Sequence, residues 1–319
     1  MSNVLHGNKY KKGSLVAKAA RELKKNKILY MMILPGVLFA LIFSYIPMGG
    51  VIIAFQNYNF KKGILGSDWV GLNNFKVFFA SGKMWLLTKN TIVYNLIFIV
   101  TGTVFNIVLA ILISEMCTRK YKRVLQSIMM FPHFLSWVIV GGIAYNIFNY
   151  EFGLLNSLLT SWGFDRVDVY SNTSIWKIIL PIVNIWKESG YSMIFYLAAI
   201  TGISPELYEA ARVDGCGIIK KIRYIILPLL RPTICILLLM SLSGILKGNM
   251  EMFYQLVGAN SYLYNATDVL DTYVYRTLMQ LKNYGITSAT GLYQSIVGFV
   301  LVITVNCITK RLDPDSAIF

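Results

Sequence analysis

The segment ISPELYEAARVDGCGIIKKIRYIILPLLRP, Ile203 to Pro232, decides how the rest of the chain is read. It is polar and charged, and long apolar blocks flank it on both sides. Ser204, Pro205 and Glu206 form a helix start: serine caps, proline suits the first helical position, and an acid favours the positive end of the helix dipole. The helix PELYEAARVD is expected to stop at Gly215. A second helix is expected over about 217–227, stopping before Pro228 because the residue before proline disfavours helix. Lys220, Lys221 and Arg223 suit an anionic lipid surface. The segment therefore reads as a short helix, a glycine turn and a second helix that re-enters apolar surroundings. Ala210 and Ala211 lie small beside Leu207 and Tyr208. Such a helix either lets a partner's groove approach closely or lies on lipid.

The apolar surroundings are a membrane. The chain has 319 residues, 56% hydrophobic and 14% charged, against roughly 25% charged in soluble domains. About 20 apolar residues cross a bilayer as a helix. Six blocks of that kind occur, at about 28–56, 90–116, 124–148, 175–200, 233–257 and 289–308. They are continuous rather than alternating, which predicts an all-α polytopic membrane protein and not a barrel. The first block is too long, and its basic leader too long, for a cleaved signal peptide. Pro35, Pro47, Pro132 and Pro181 are expected at kinks or helix ends.

Six spans put both termini on one side. The tail 1–27 holds eight Lys and Arg, the loop 119–123 four, the segment 203–232 five and the terminal stretch 310–319 two. The segments on the other side hold eight in all. The bias places the termini and 203–232 in the cytoplasm. It also accounts for most of the net charge of +15 without nucleic acid, since no basic face lies beside stacking aromatics. The expected organisation is a basic tail 1–27, a transmembrane domain 28–309 and a cytoplasmic tail 310–319. Cys117, Cys216, Cys235 and Cys307 are widely spaced, and His6 and His133 are the only histidines, so no metal site is expected.

The stretch EAARVDGCGIIKKIRYIILP resembles the EAA loop of binding-protein-dependent ABC importer permeases. That family's pattern is Glu-Ala-Ala, two residues, Asp-Gly-Ala, and later Ile-x-Leu-Pro. Here the positions are Glu209, Ala210, Ala211, Asp214, Gly215, Ile225, Leu227 and Pro228. Cys216 stands where alanine is usual and Ile222 where phenylalanine is common. The stretches WVGLNNF, IWKESGYSMIFYLAAITGISPELYEAA and DVLDTYVYR are similar to sugar-importer permeases of the MalF type, most of all to the LplB-like polysaccharide and oligosaccharide branch.

The resemblance implies a type I ABC importer permease fold in a bacterial plasma membrane. It implies a non-catalytic pore subunit, with Tyr208, Glu209, Ala210, Ala211, Asp214, Gly215, Leu227 and Pro228 coupling to a cytoplasmic ATPase. The implied partners are a second homologous permease in a heterodimer, two ABC ATPase subunits, an extracellular solute-binding protein and a carbohydrate. ATP and Mg would be bound by the ATPase and no cofactor by this chain. The chain itself has no GxxxxGK[ST] phosphate loop, and GCGIIKK lacks its spacing.

Ionisable residues in spans are costly and therefore functional candidates. The fourth span holds Asn184, Lys187, Glu188 and Tyr191 in a helical stripe. The fifth holds Ser243, Lys247, Glu251 and Tyr254 at spacings 4, 4 and 3, plus Asn249. Either these line a wet cavity and bind sugar hydroxyls, with Trp186 and Tyr254 stacking on rings, or the charges neutralise each other. Asn95, Asn106, Gln294 and Asn306 suit hydrogen bonds between helices. The alternative function is a stand-alone ion-coupled transporter, for which the internal repeats usual in such folds are missing.

Overall fold

The computed structural model describes residues 22, 24–116 and 118–312. Most of the basic tail, His6, Cys117 and residues 313–319 lie outside them. The chain divides into two compact units, residues 1–52 and 53–319.

In the first unit, α1 (Lys27–Ala40) runs through Pro35 into a widened π turn, Leu41–Tyr45, ahead of Pro47. The second unit begins with a small antiparallel pair, β1 (Gln56–Asn57) and β2 (Asp68–Trp69), with Gln56 opposite Trp69. Asn74 ties the WVGLNNF stretch to this pair, its Nδ2 donating to the carbonyls of Ala54 and Gln56, both at 2.9 Å. Short α2 (Asn73–Ala80) leads into α3 (Lys83–Glu115), the longest helix at 33 residues. Next come α4 (Arg119–Met130) and α5 (Trp137–Phe148), which meet at a bend of 93° across Phe131–Phe134. After α6 (Leu154–Ser161), α7 (Thr173–Thr201) packs along α3. The short helices α8 (Pro205–Val213) and α9 (Ile218–Lys221) precede α10 (Leu227–Ser243), α11 (Met250–Val257), α12 (Leu270–Met279) and α13 (Tyr284–Leu312).

Three expected boundaries need correction. The helix does not stop before Pro228: α9, a π turn at Ile222–Ile226 and α10 run on as one 26-residue helix. Proline lacks an N–H and its ring collides with the carbonyl four residues back. For Pro228 that carbonyl belongs to Tyr224, and for Pro47 to Phe43. Both lie within π turns, whose wider winding absorbs the misfit. The fifth block, expected over 233–257, is not one helix. It breaks after Ser243, at the C-cap Gly244, and resumes only at Met250 as α11, which packs on α5. The third block, expected over 124–148, is the bent α4–α5 pair.

Among the described residues, four helices are long and apolar enough to cross a membrane: Lys27–Phe55, Lys83–Glu115, Ile218–Ser243 and Tyr284–Cys307. A fifth is added if the bent α4–α5 pair counts as one span. At 29 residues α7 has the length, but it carries Lys177, Lys187 and Glu188. Three cores organise the second unit. One joins Tyr94 of α3, Trp137 of α5, Trp176 of α7 and Phe253 of α11. The second joins Ala110 of α3, Met193 and Ile200 of α7 and Leu230 of α10. The third gathers Phe78, Leu87, Leu246 and Leu270.

Candidate functional site

The EAA segment folds as its residues dictate. Ser204 caps α8, its Oγ accepting from the Glu206 N–H at 3.4 Å. Gly215 follows the helix at φ +66°, a left-handed backbone that side chains with a Cβ disfavour. The Cys216 N–H then closes onto the Ala211 carbonyl at 2.8 Å. The expected coupling residues divide by face. Ala211 is buried and Tyr208 half-buried, both turned inward, while Glu209, Ala210, Asp214 and Gly215 are exposed. Leu227 and Pro228 are exposed on the following helix. Val213, 88% exposed, adds an apolar contact to the outward face.

The fourth-span residues form two groups rather than one stripe. Lys187 and Tyr191 turn to the α4–α5 bend. Lys187 Nζ donates to the His133 carbonyl at 2.9 Å, lies 3.6 Å from Glu188 Oε1 and sits 5.0 Å above the Trp137 ring. Tyr191 stacks on the His133 ring at 4.4 Å, and His133 Nδ1 meets Glu188 Oε2 at 2.9 Å. Beside them Gly190 brings the α7 backbone against α4, where a Cβ would overlap the Met129 carbonyl. Asn184 and Glu188 instead line a cleft of about 460 Å³ between α3, α7 and α10. Asn106, Ser189, Ser192 and Ser241 line it too. Two polar atoms there are buried without a partner, Asn106 Oδ1 and Ser189 Oγ.

The second expected stripe is corrected for the same reason as the fifth span: the chain breaks between Ser243 and Met250, so helical spacing does not apply. Ser243 and Lys247 line a cleft of about 680 Å³ with Asp271 and Gln294. Asn249 caps α11, its Oδ1 accepting from the Met252 N–H at 3.1 Å. Glu251 is exposed, and Tyr254 packs edge-on against Tyr275 at 5.0 Å. Asp271 holds the break. It accepts from the Gly248 N–H and, at 3.1 Å, from Gln294 Nε2, which also reaches the Leu246 carbonyl at 2.7 Å. Burial pushes the Asp271 carboxyl up, against the hydrogen bonds from Gln294 and Gly248 and the charge of Lys247.

Asn95 and Gln294 therefore act as the hydrogen-bonding links expected of them, Asn95 to the carbonyls of Ile245 and Lys247 at 3.0 and 3.2 Å. In the DVLDTYVYR stretch, Asp268 and Arg276 pair through both oxygens, at 3.1 and 2.5 Å, and the guanidinium lies 4.0 Å from the Tyr264 ring. His133, Ser189 and Asp271 carry site geometry that local spacing did not signal. His133 had one cue, the adjacent Pro132 marking the bend.

Comparison with known proteins agrees with this architecture. Residues 93–316 match the family described as binding-protein-dependent transport system inner membrane component. The chain is 35% identical over 295 residues to the Bacillus subtilis polygalacturonan/rhamnogalacturonan transport system permease protein YteP, covering 92% of this chain and 91% of that one. It is also 35% identical to protein LplB of Bacillus subtilis over 294 residues, covering 92% of each. Among solved structures, a bacterial alginate ABC transporter in complex with alginate pentasaccharide-bound periplasmic protein contains a chain of similar fold. The TM-score is 0.82 at 34% identity, covering 92% of this chain and 97% of that one. A second structure, of a bacterial ABC transporter that imports the acidic polysaccharide alginate, gives 0.84 at 33% identity, covering 93% and 99%.

Proposed function

Since the chain belongs to the family of binding-protein-dependent transport inner membrane components, we propose that it forms half of the translocation pathway of an ATP-driven importer of oligosaccharides or polysaccharide fragments. It is a non-catalytic permease subunit, and family membership removes the stand-alone ion-coupled transporter as an alternative. The carbohydrate class is supported by the polygalacturonan/rhamnogalacturonan and alginate transporters that it resembles.

In this reading a second permease completes the pore. Two cytoplasmic ATPase subunits bind ATP and Mg, and an extracellular binding protein delivers the sugar. Six spans are formed by Lys27–Phe55, α3, the bent α4–α5 pair, α7, the α9–α10 helix and α13, within a transmembrane domain 28–309. Both termini are cytoplasmic in a bacterial plasma membrane, with 203–232 as coupling loop and 1–27 and 310–319 as tails.

The observation that carries the coupling role is the outward face of α8, where Glu209, Ala210, Val213 and Asp214 are presented on a capped helix. A cytoplasmic ATPase takes that face into a groove, and closure of the ATPase dimer moves it. Because α9, the π turn and α10 are one helix, displacement of the loop is passed into a span. The sugar path runs by the cleft of Asn184 and Glu188, which Ser192 and Ser241 also line, and by that of Ser243 and Lys247.

The test is Glu209→Lys in the assembled transporter. The expected result is loss of ATPase co-purification and of ATP-driven uptake. If assembly and uptake both match wild type, α8 is not the coupling helix.

A further inference from the structure

Glu115 is the last residue of α3. A carboxylate there faces the negative end of the helix dipole and is disfavoured without a cation. Lys221, on α9, supplies it: its Nζ lies 2.5 Å from Glu115 Oε2, with the two side chains 22% and 27% exposed. Water and salt screen such a half-buried pair less than a surface one. The same ammonium sits 5.7 Å from the Tyr208 ring of α8. Burial, and after it the Glu115 charge, push the Tyr208 phenol up. One residue earlier on α3, the Ser114 carbonyl accepts from Lys122 Nζ of α4 at 2.6 Å. The end of α3 thus gathers groups from α4, α8 and α9.

Apolar packing joins them as well, with Tyr208 and Ile222 set against the core of Ala110, Ile113 and Ile226. α8 packs only sparsely on other helices, and a cavity of about 510 Å³ opens between it and the ends of α3 and α7, lined by Glu115, Thr201, Tyr208 and Lys221. The ion pair crosses the rim of that cavity. At that rim, beyond the edge of the apolar core, a short charged pair can keep the start of α9 in step with the end of α3.

We propose that Glu115 and Lys221 form a strut that carries movement of the α8–α9 segment into α3, so that the docking helix drives two spans: α10 through the chain and α3 through the ion pair. This rests on the reading of α8 as the ATPase-docking helix. Glu115 and Lys221 are positioning residues in this scheme, touching neither nucleotide nor sugar.

The experiment uses the assembled transporter with its ATPase subunits. Spin labels are placed at Ile219 on α9 and Leu112 on α3, both exposed, and their separation is measured nucleotide-free and with ATP plus vanadate. The intact strut keeps one narrow separation in both states. Glu115→Gln broadens the distribution and makes it shift with nucleotide, while ATPase co-purification stays at wild-type level. The reversed pair, Glu115→Lys with Lys221→Glu, restores the narrow distribution. That reversal suits the helices, since it puts a cation at the C-terminus of α3 and an acid in the first turn of α9.

A wild-type separation that changes on ATP binding overturns the strut. So does a Glu115→Gln distribution as narrow as wild type, or a reversed pair that fails to restore it. Loss of ATPase from Glu115→Gln also overturns it, by making the pair part of docking. Failure of the wild-type chain to assemble with any ATPase instead overturns the permease-coupling reading beneath it.

Discussion

Two stretches concentrate charge among apolar helices, and they handle it in opposite ways. In α7, Lys187 lies on an unbroken helix and is 5% exposed. Its ammonium has a carbonyl, a carboxylate and an aromatic face around it. Between α10 and α11, Lys247 lies in a broken segment and is exposed to a cleft that Asp271 and Gln294 also line. A buried lysine among fixed partners holds structure. An exposed lysine over a cleft keeps its ammonium in contact with solvent. The same residue type thus takes two settings, decided by whether the backbone beneath it continues as helix.

The comparison is broken most severely at Gly190. The α7 backbone there meets the Met129 carbonyl of α4 with no room for a side chain, and the whole Lys187–Glu188–Tyr191 arrangement depends on that approach. Gly190→Val is expected to cost about 4 kcal/mol or more, since backbone atoms cannot step aside as side chains can. The measurement is thermal unfolding of the purified protein in detergent, and a near wild-type midpoint would refute the close contact. At Gly244, by contrast, an added Cβ would meet only the Ser241 carbonyl, at 3.7 Å, so Gly244→Ala is expected to leave the midpoint nearly unchanged.

The next contrast is between the lysines themselves. Lys187→Met removes the partner of the His133 carbonyl and the nearest cation to Glu188. The expected loss is about 1–3 kcal/mol, because His133 and Glu188 are only half-buried and regain part of their solvation. Lys247→Met is expected to change stability by no more than about 0.5 kcal/mol, as for other exposed sites, while lowering uptake by the assembled transporter. Equal shifts in melting for the two variants would remove the distinction between the two settings.

Physical locality explains which of these features can be read along the chain. The cap at Ser204, the stop at Gly215 and the outward Glu209 are local chemistry, and all are legible within a dozen residues. The apolar blocks are legible too, because bilayer thickness imposes a length. The break after Ser243 is less so: Gly244 is its local cue, but Ile245 and Leu246 keep the run apolar, and the bond from the Gly248 N–H goes to Asp271, more than twenty residues away. Continuity through Pro228 is hidden for a related reason, since a π turn has no residue signature. The bend at Phe131–Phe134 is announced by Pro132, but its anchoring to Lys187, Glu188 and Tyr191 through His133 is a contact across more than fifty residues.

A pH-dependent effect is expected at the break itself. Burial raises the Asp271 carboxyl above its ordinary value of 3.8, so the folded chain holds this proton more tightly than the unfolded chain does. The contribution to stability is therefore fully present below pH 3.8 and is lost as pH rises through the folded-state value. At neutral pH, then, the ionised carboxylate is held at some cost, offset by the bonds to Gly248 and Gln294. Asp271→Asn keeps an oxygen for the Gly248 N–H and abolishes the titration, so the melting midpoint should depend less on pH across the acidic range. The change at neutral pH is expected to stay within about 1 kcal/mol, the amount by which one hydrogen bond typically alters stability. Parallel melting curves for the variant and wild type from about pH 4 to pH 7 would show that the break is not held by a strained carboxylate. Lys247 would then owe its exposed position to the backbone break alone.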